Sequence, residues 1–168
     1  MLTNLAFLLL RMMLGLTIAA HGSQKLFGWF GGGGLKNTSV FFEKQGFKPA
    51  WVWLGLACVG ELGGGLSLAA GLLTPLGAAG VFGAMFMATF KTNWKNGFFI
   101  QKGGYEYGLL ILVVSVFLGL AGPGAFSLDA LLRINLPAVV FIGLAVLALV
   151  VVVIGIQLSK SQEAARAG

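Results

Sequence analysis

Five long apolar segments, separated by short polar connections, dominate the sequence. They cover roughly residues 3–22, 51–72, 76–90, 105–121 and 135–157. A helix that crosses a bilayer needs about 20 mostly apolar residues. The pattern therefore predicts an all-α, polytopic membrane protein with short loops, whose first partner is the lipid bilayer.

The balance of apolar and charged residues supports the same class. Apolar residues make up 58% of the chain and charged residues only 10%, whereas soluble domains average about 25% charged residues. Since the 168 residues leave no room for a separate soluble catalytic unit, any function must lie in the helices, in their loops or with partner proteins.

Several kinds of site are excluded by the residue types. The net charge of +6 comes from lysines in the loops, which follows membrane topology and does not indicate nucleic-acid binding. The single cysteine, Cys58, excludes an internal disulfide, a Cys-x-x-Cys centre and a thiolate metal cluster, and we predict no metal site. The glycines at 31–34 are not followed by Gly-Lys-Ser or Gly-Lys-Thr, so they predict a flexible turn and no phosphate loop.

Two charges lie deep within apolar segments. Glu61 stands among glycines in Gly60–Gly65, and Arg11 lies near the middle of the first segment. A charge at the bilayer centre costs about 2.5–3.5 kcal/mol on insertion scales, so it normally has a partner. We predict that Arg11 and Glu61 meet, and that the Gly60/Gly64 pair allows the close helix approach this requires. The pair is either an ion pair that fixes helix register or the floor of a polar pocket.

Further polar residues are predicted near one membrane boundary. His21 lies on the polar side of the first segment, Lys25 should extend to the interface, and Glu106 falls in the first turn of the fourth segment. Asn96 belongs to the polar loop 91–102. We take these residues, with Arg11 and Glu61, as the candidate catalytic and cofactor-binding set.

The connection near residues 122–134 is predicted to be structural. Ser127 is placed to cap a short helical turn. Asp129 and Arg133 are spaced i,i+4 for an exposed ion pair.

The loop charges predict the topology. One side has Arg133, and the other side has the nine residues Lys25, Lys36, Lys44, Lys48, Lys91, Lys95, Lys102, Lys160 and Arg166. Because positive loops stay cytoplasmic, we expect the N-terminus outside and the C-terminus in the cytoplasm. A cleaved signal peptide fits poorly, since no Lys or Arg precedes the apolar run and Arg11 interrupts it.

Short motifs, in order along residues 4–132, resemble those of the DoxX family of small bacterial membrane proteins. They are Ala20-His21-Gly22-Ser23-Gln24-Lys25-Leu26-Phe27-Gly28, Phe41-Phe42-Glu43-Lys44-Gln45-Gly46, Glu61-Leu62-Gly63-Gly64-Gly65 with Gly71-Leu72-Leu73-Thr74, Asn96-Gly97-Phe98-Phe99, Gly104-Tyr105-Glu106-Tyr107, and Gly122-Pro123-Gly124 with Ser127-Leu128-Asp129. The resemblance implies a four-helix transmembrane bundle over residues 1–133, in the bacterial inner (plasma) membrane. Residues 134–168 would add a fifth transmembrane helix and a short polar cytoplasmic tail.

The resemblance also implies a function related to the quinone-reducing membrane subunits of thiosulfate:quinone oxidoreductase. The chain would then be a membrane subunit of a quinone-linked oxidoreductase system, and its Arg11/Glu61 pocket would hold a quinone head group or relay protons. Other membrane or peripheral redox proteins would be partners and would supply electrons, and a homo-oligomer is compatible with the sequence. The alternative is a non-catalytic anchor or assembly subunit of a larger complex. A transport role is disfavoured by the lack of an internal repeat.

Overall fold

The computed structural model describes residues 1–167, and within that range the chain is helical without strands. Three helices are long and apolar enough to cross a membrane: Leu2–Phe27, Ala50–Ala70 and Ala138–Gln162. A fourth apolar helix, Glu106–Ala121, is shorter. The predicted all-α membrane class is confirmed.

Within the described residues, seven α-helices follow one another, apart from short 3-10 turns. They are α1 (Leu2–Phe27), α2 (Gly34–Lys44), α3 (Ala50–Ala70), α4 (Thr74–Met87), α5 (Glu106–Ala121), α6 (Leu128–Leu131) and α7 (Ala138–Ala167). Helix α3 contains a π turn at Val59–Gly63, and α4 continues into a second π turn at Ala88–Asn93. The five predicted apolar segments coincide with α1, α3, α4, α5 and α7.

The turn between α3 and α4 is tight because its residues suit their backbone angles. Gly71 ends α3 in the left-handed conformation, with φ of 64°, a position at which glycine is favoured. Pro75 lies in the first turn of α4, where its missing N–H leaves no helix bond unmade. The two helices therefore run antiparallel, side by side.

Helices α1, α3, α4 and α5 alternate in direction, and each packs against the next. Helix α7 covers α4 and α5. The core between these helices contains Ile18, Leu68, Val81, Ile111 and Leu118. We call the end of this assembly where α1 finishes the Lys25 end, and the opposite end the Arg11 end.

Large apolar side chains cover much of the outer surface. Leu9 and Met13 of α1, Leu110 of α5 and Leu147 of α7 are all more than half exposed. In a soluble protein such a surface would aggregate, whereas in a bilayer it contacts lipid.

Glycines set the register between α1 and α3. Gly22 lies against Leu62, and Gly15 lies against Ala69. A Cβ atom on Gly65 would fall 2.6 Å from the Gly15 carbonyl oxygen and 2.6 Å from the Ala19 nitrogen. The two backbones are therefore in direct contact, and neither helix can shift along the other without a steric clash.

The close approach predicted for Gly60 and Gly64 is confirmed, but its partner is α4. A Cβ on Gly60 would lie 2.6 Å from the Gly80 carbonyl oxygen, and one on Gly64 would lie 2.8 Å from the Gly77 carbonyl oxygen. These two glycines therefore do not bring α1 and Arg11 towards Glu61.

We expect Gly65→Ala to lower the stability of the fold by about 1–3 kcal/mol, because the added methyl group overpacks the α1/α3 contact. Gly63→Ala is the matched control, since a Cβ there meets nothing within 4 Å. It should be neutral or raise stability by about 0.5–1 kcal/mol, the usual gain for this change in a helix. Thermal unfolding of both variants in mild detergent measures the difference, and equal midpoints would contradict this register.

Candidate functional site

Arg11 lies at the carboxyl end of α3. Its side chain is fully buried, and Nη1 donates to the carbonyl oxygens of Leu68, at 3.2 Å, and Ala69, at 3.5 Å. Nη2 donates to the carbonyl oxygen of Phe126. The last carbonyls of a helix lack partners within it and carry the negative end of the helix dipole, so a cation is stabilised there.

Asp129 makes the complementary contact at the start of α4. Its carboxylate is 2% exposed and accepts hydrogen bonds from the Leu73 nitrogen (2.7 Å), the Thr74 nitrogen (3.0 Å) and the Thr74 hydroxyl (2.9 Å). The predicted exposed Asp129/Arg133 ion pair is therefore wrong, because the carboxylate turns inward to cap a helix amino end. The Ser127 cap is confirmed, with Oγ accepting from the Ala130 nitrogen at 3.1 Å.

Arg11 and Asp129 together hold the α3–α4 turn, and we call this pair the turn clamp. Leu73, inside the turn, has a φ of 50°, which is unfavourable for a residue with a branched side chain. Such a conformation persists only where its surroundings enforce it. The turn clamp does so, which indicates a structural role for both charges.

Glu61 is paired with Lys25. The Glu61 side chain is 1% exposed, and its Oε1 accepts from the ammonium of Lys25, which is 28% exposed. The other carboxylate oxygen, Oε2, is buried and has no hydrogen-bond partner. Glu61 thus offers one free acceptor within the helices.

The predicted Arg11/Glu61 contact is wrong, and the α1/α3 register is the reason. Gly22 lies opposite Leu62, so Glu61 is level with the end of α1, about 15–18 Å along the axis from Arg11 at 1.5 Å per residue. Lys25, which was expected to extend to the interface, turns inward to Glu61. Lys25 lies on the polar side of α1. Because α3 runs antiparallel to α1, a residue near the end of α1 lies level with the middle of α3, and this could have suggested the pairing of Lys25 with Glu61.

His21 and Glu106 lie at the same end but in different contacts. The His21 Nδ1 is 3.1 Å from the Gln24 Oε1, and the imidazole meets the ring of Tyr107 edge-on, with centroids 6.1 Å apart. Glu106 begins α5, as predicted, and accepts from the Ile100 nitrogen at 3.1 Å. Tyr107, which follows Glu106 in the chain, was not among the candidate residues and contacts His21.

Asn96 stabilises its own loop. Its amide nitrogen donates to the Gly103 carbonyl oxygen at 3.1 Å, alongside the amide of Asn93 at 3.0 Å. The stacked rings of Trp94 and Tyr105, 4.5 Å apart, close the same loop. This arrangement positions the start of α5 and, with it, Glu106 and Tyr107.

The polar residues therefore form two groups. The turn clamp lies at the Arg11 end, where backbone groups and the Thr74 hydroxyl bind the Arg11 Nη atoms and the Asp129 carboxylate. The buried Nε of Arg11 has no hydrogen-bond partner. At the Lys25 end, Glu61 retains a free oxygen, and Lys25 and His21 are partly exposed. Proton exchange and hydrogen bonding to a small polar ligand are the chemistry available there.

One comparison with known proteins gives a match. The family model DoxX matches residues 6–94, which is more than half of the chain. No curated protein and no solved structure matches. The matched range includes α1 to α4, and with them Arg11, Lys25 and Glu61.

We expect Asp129→Asn to lower stability by about 1–3 kcal/mol, because an amide replaces one carboxylate acceptor with a donor that faces backbone N–H groups. Arg133→Gln should stay within about 0.5 kcal/mol, as is usual at an exposed position. Thermal unfolding in mild detergent distinguishes the two. An equal loss in both variants would instead support an Asp129/Arg133 ion pair.

Proposed function

This chain belongs to the DoxX family, and on that premise we propose that it is an integral membrane component of a quinone-linked oxidoreductase system. The family and the membrane-spanning helices point to a multi-pass bacterial membrane protein. The observation that carries the proposal is the buried, unpartnered Oε2 of Glu61.

A free carboxylate oxygen inside the protein favours a ligand that can donate a hydrogen bond. A buried polar group without a partner costs about 1–3 kcal/mol. A hydroxyl group of a quinol, donating to Oε2, would remove that cost while Lys25 continues to balance the charge through Oε1. This supports Glu61 as the residue that contacts the head group.

Reduction of a quinone to a quinol takes two electrons and two protons. A partner redox protein supplies the electrons in this proposal. Glu61 transfers protons at its carboxylate, and the partly exposed Lys25 and His21 connect it to the aqueous boundary at the Lys25 end. Arg11 is not assigned to the head group, because both of its Nη atoms donate to the carbonyls of Leu68, Ala69 and Phe126. Its buried Nε has no hydrogen-bond partner, but it lies about 15–18 Å along the axis from Glu61.

The finer architecture is part of the proposal. Helices α1, α3, α4 and α5 form a four-helix transmembrane bundle, and α7 is a fifth transmembrane helix outside it. The Lys25 end faces the cytoplasm, since it holds the lysine-rich connections α1–α3 and α4–α5 together with Lys160, while Arg133 lies at the other end.

We expect Glu61→Gln to weaken binding of a short-chain ubiquinol, whose hydroxyl would donate to Oε2, about ten- to a hundredfold. Losing a hydrogen bond to a charged group costs about 1.5–3 kcal/mol, which corresponds to that range. The variant, purified in mild detergent under reducing conditions, should also retain less quinol from the membrane than the unchanged protein, measured by extraction and mass spectrometry.

Glu43→Gln provides the control, because it makes the same change at an exposed carboxylate on α2. Unchanged quinol affinity and retention in Glu61→Gln, with the thermal midpoint preserved, would remove Glu61 from the site. If the variant instead lowered only the yield of co-purified partner proteins, the result would favour the non-catalytic anchor or assembly subunit.

The topology can be tested separately. A green fluorescent protein fused after residue 168 should fluoresce, because it folds in the cytoplasm, and an alkaline phosphatase fused at the same place should be inactive. A fusion after Arg133, between α6 and α7, should give the opposite pair of results. Reversal of both patterns would place the Lys25 end outside.

A further inference from the structure

A second feature of the membrane-spanning helices does not involve the side chain of Glu61. A cavity of about 380 Å³ lies between α3, α4 and α7. Small residues form its back wall, among them Gly60, Gly80 and Gly83, and larger side chains such as Trp53 and Leu147 form its sides. We call this cavity the apolar slot.

The length of the apolar slot suits one acyl chain within one leaflet. Along α4 its lining runs from Leu76 to Met87, about 16 Å at 1.5 Å per residue. The length is about half of the ~30 Å hydrocarbon core, which is the depth of one leaflet.

Two lysines beyond one end of the apolar slot indicate that a lipid bound there has an anionic head group. The ring of Trp53 lies directly against Gly155 of α7, where a Cβ would overlap it. Lys48 lies two residues before α3, and Lys160 lies five residues, about 1.4 turns, beyond Gly155. Both lysines are exposed and lie on the same side of Trp53, because α3 and α7 are antiparallel. Each lysine near the membrane surface attracts an anionic lipid.

We propose that the apolar slot binds one acyl chain of an anionic phospholipid from the leaflet at the Lys25 end, with the phosphate group facing Lys48 and Lys160. The chain enters beside Trp53 and extends towards Leu76. The bound lipid fills the space between α7 and the α3/α4 pair, so α7 packs partly through lipid rather than wholly through side chains.

Trp53 makes this site observable. Vesicles of phosphatidylcholine with a minor fraction of dibrominated phosphatidylglycerol, brominated on the acyl chains, should quench tryptophan fluorescence more than vesicles with the same fraction of dibrominated phosphatidylcholine. The difference should disappear in Trp53→Phe and persist in Trp51→Phe, whose ring is 73% exposed. Equal quenching by the two brominated lipids would overturn the proposal.

Substitutions within the slot test the binding of the acyl chain, and substitutions of the two lysines test the binding of the head group. Ala148→Leu, which fills the slot from α7, should abolish the preferential quenching, while Gly143→Leu adds bulk to α7 where a Cβ meets nothing within 4 Å and should leave it unchanged. Lys48→Gln and Lys160→Gln should each weaken binding of the brominated phosphatidylglycerol about fivefold.

Two other occupants would give different results, and either would overturn the proposal. Displacement of the brominated lipid by a short-chain ubiquinone would assign the slot to a quinone tail. A dimer that Ala148→Leu converts to a monomer, detected by mass measurement in detergent, would assign it to a second copy of this chain. Since neither readout involves Glu61, failure here would leave the proposed quinone function untouched.

Discussion

The backbone contact between α1 and α3 determines where every deep charge finds its partner. Gly15, Gly22 and Gly65 let the two helices touch at three levels, so their relative position along the axis is fixed by sterics alone. Arg11 is thereby placed at the end of α3, and Glu61 is placed beside the last turns of α1. Polar interactions then form between the groups that this register brings together.

The three buried charges, Arg11, Asp129 and Glu61, are compensated in two different ways. Arg11 is surrounded by backbone carbonyls at the end of a helix, and Asp129 by backbone N–H groups at the start of the next. Both are therefore neutralised largely by helix dipoles and by groups that would otherwise lack partners. Glu61 has only the ammonium of Lys25 and a remaining free oxygen. Arg11 also has one buried atom without a partner, Nε, but only Glu61 depends on a single, partly exposed side chain.

The sequence predicted the helices well because hydrophobic length is a strong local signal. It located α1, α3, α4, α5 and α7, the Ser127 cap and the place of Glu106 at the start of α5. It also identified Arg11 and Glu61 as buried. Each of these depends on composition or spacing within one segment.

The pairing of the charges could not be predicted in the same way. Arg11 and Glu61 each lie near the middle of an apolar segment, and the prediction treated the two middles as level. The actual offset of α1 along α3 depends on which glycines of α3 face α1 and which face α4. Asp129 was assigned to Arg133 four residues away, although the amino end of α4, more than fifty residues earlier, offered three donors. The apolar slot depends on three helices at once and has no sequence signature of its own.

The π turn at Val59–Gly63 has a consequence for how this chain can vary in length. A π turn contains one residue more than the α-helical turn it replaces, and each residue rotates the helix by about 100°. Deleting one residue here would restore a regular helix, but it would rotate everything before the turn relative to everything after it. Gly60 could then no longer face α4 while Gly65 faces α1. Substitutions along α3 can be judged one by one, whereas a one-residue deletion within the turn would alter both of its helix contacts together.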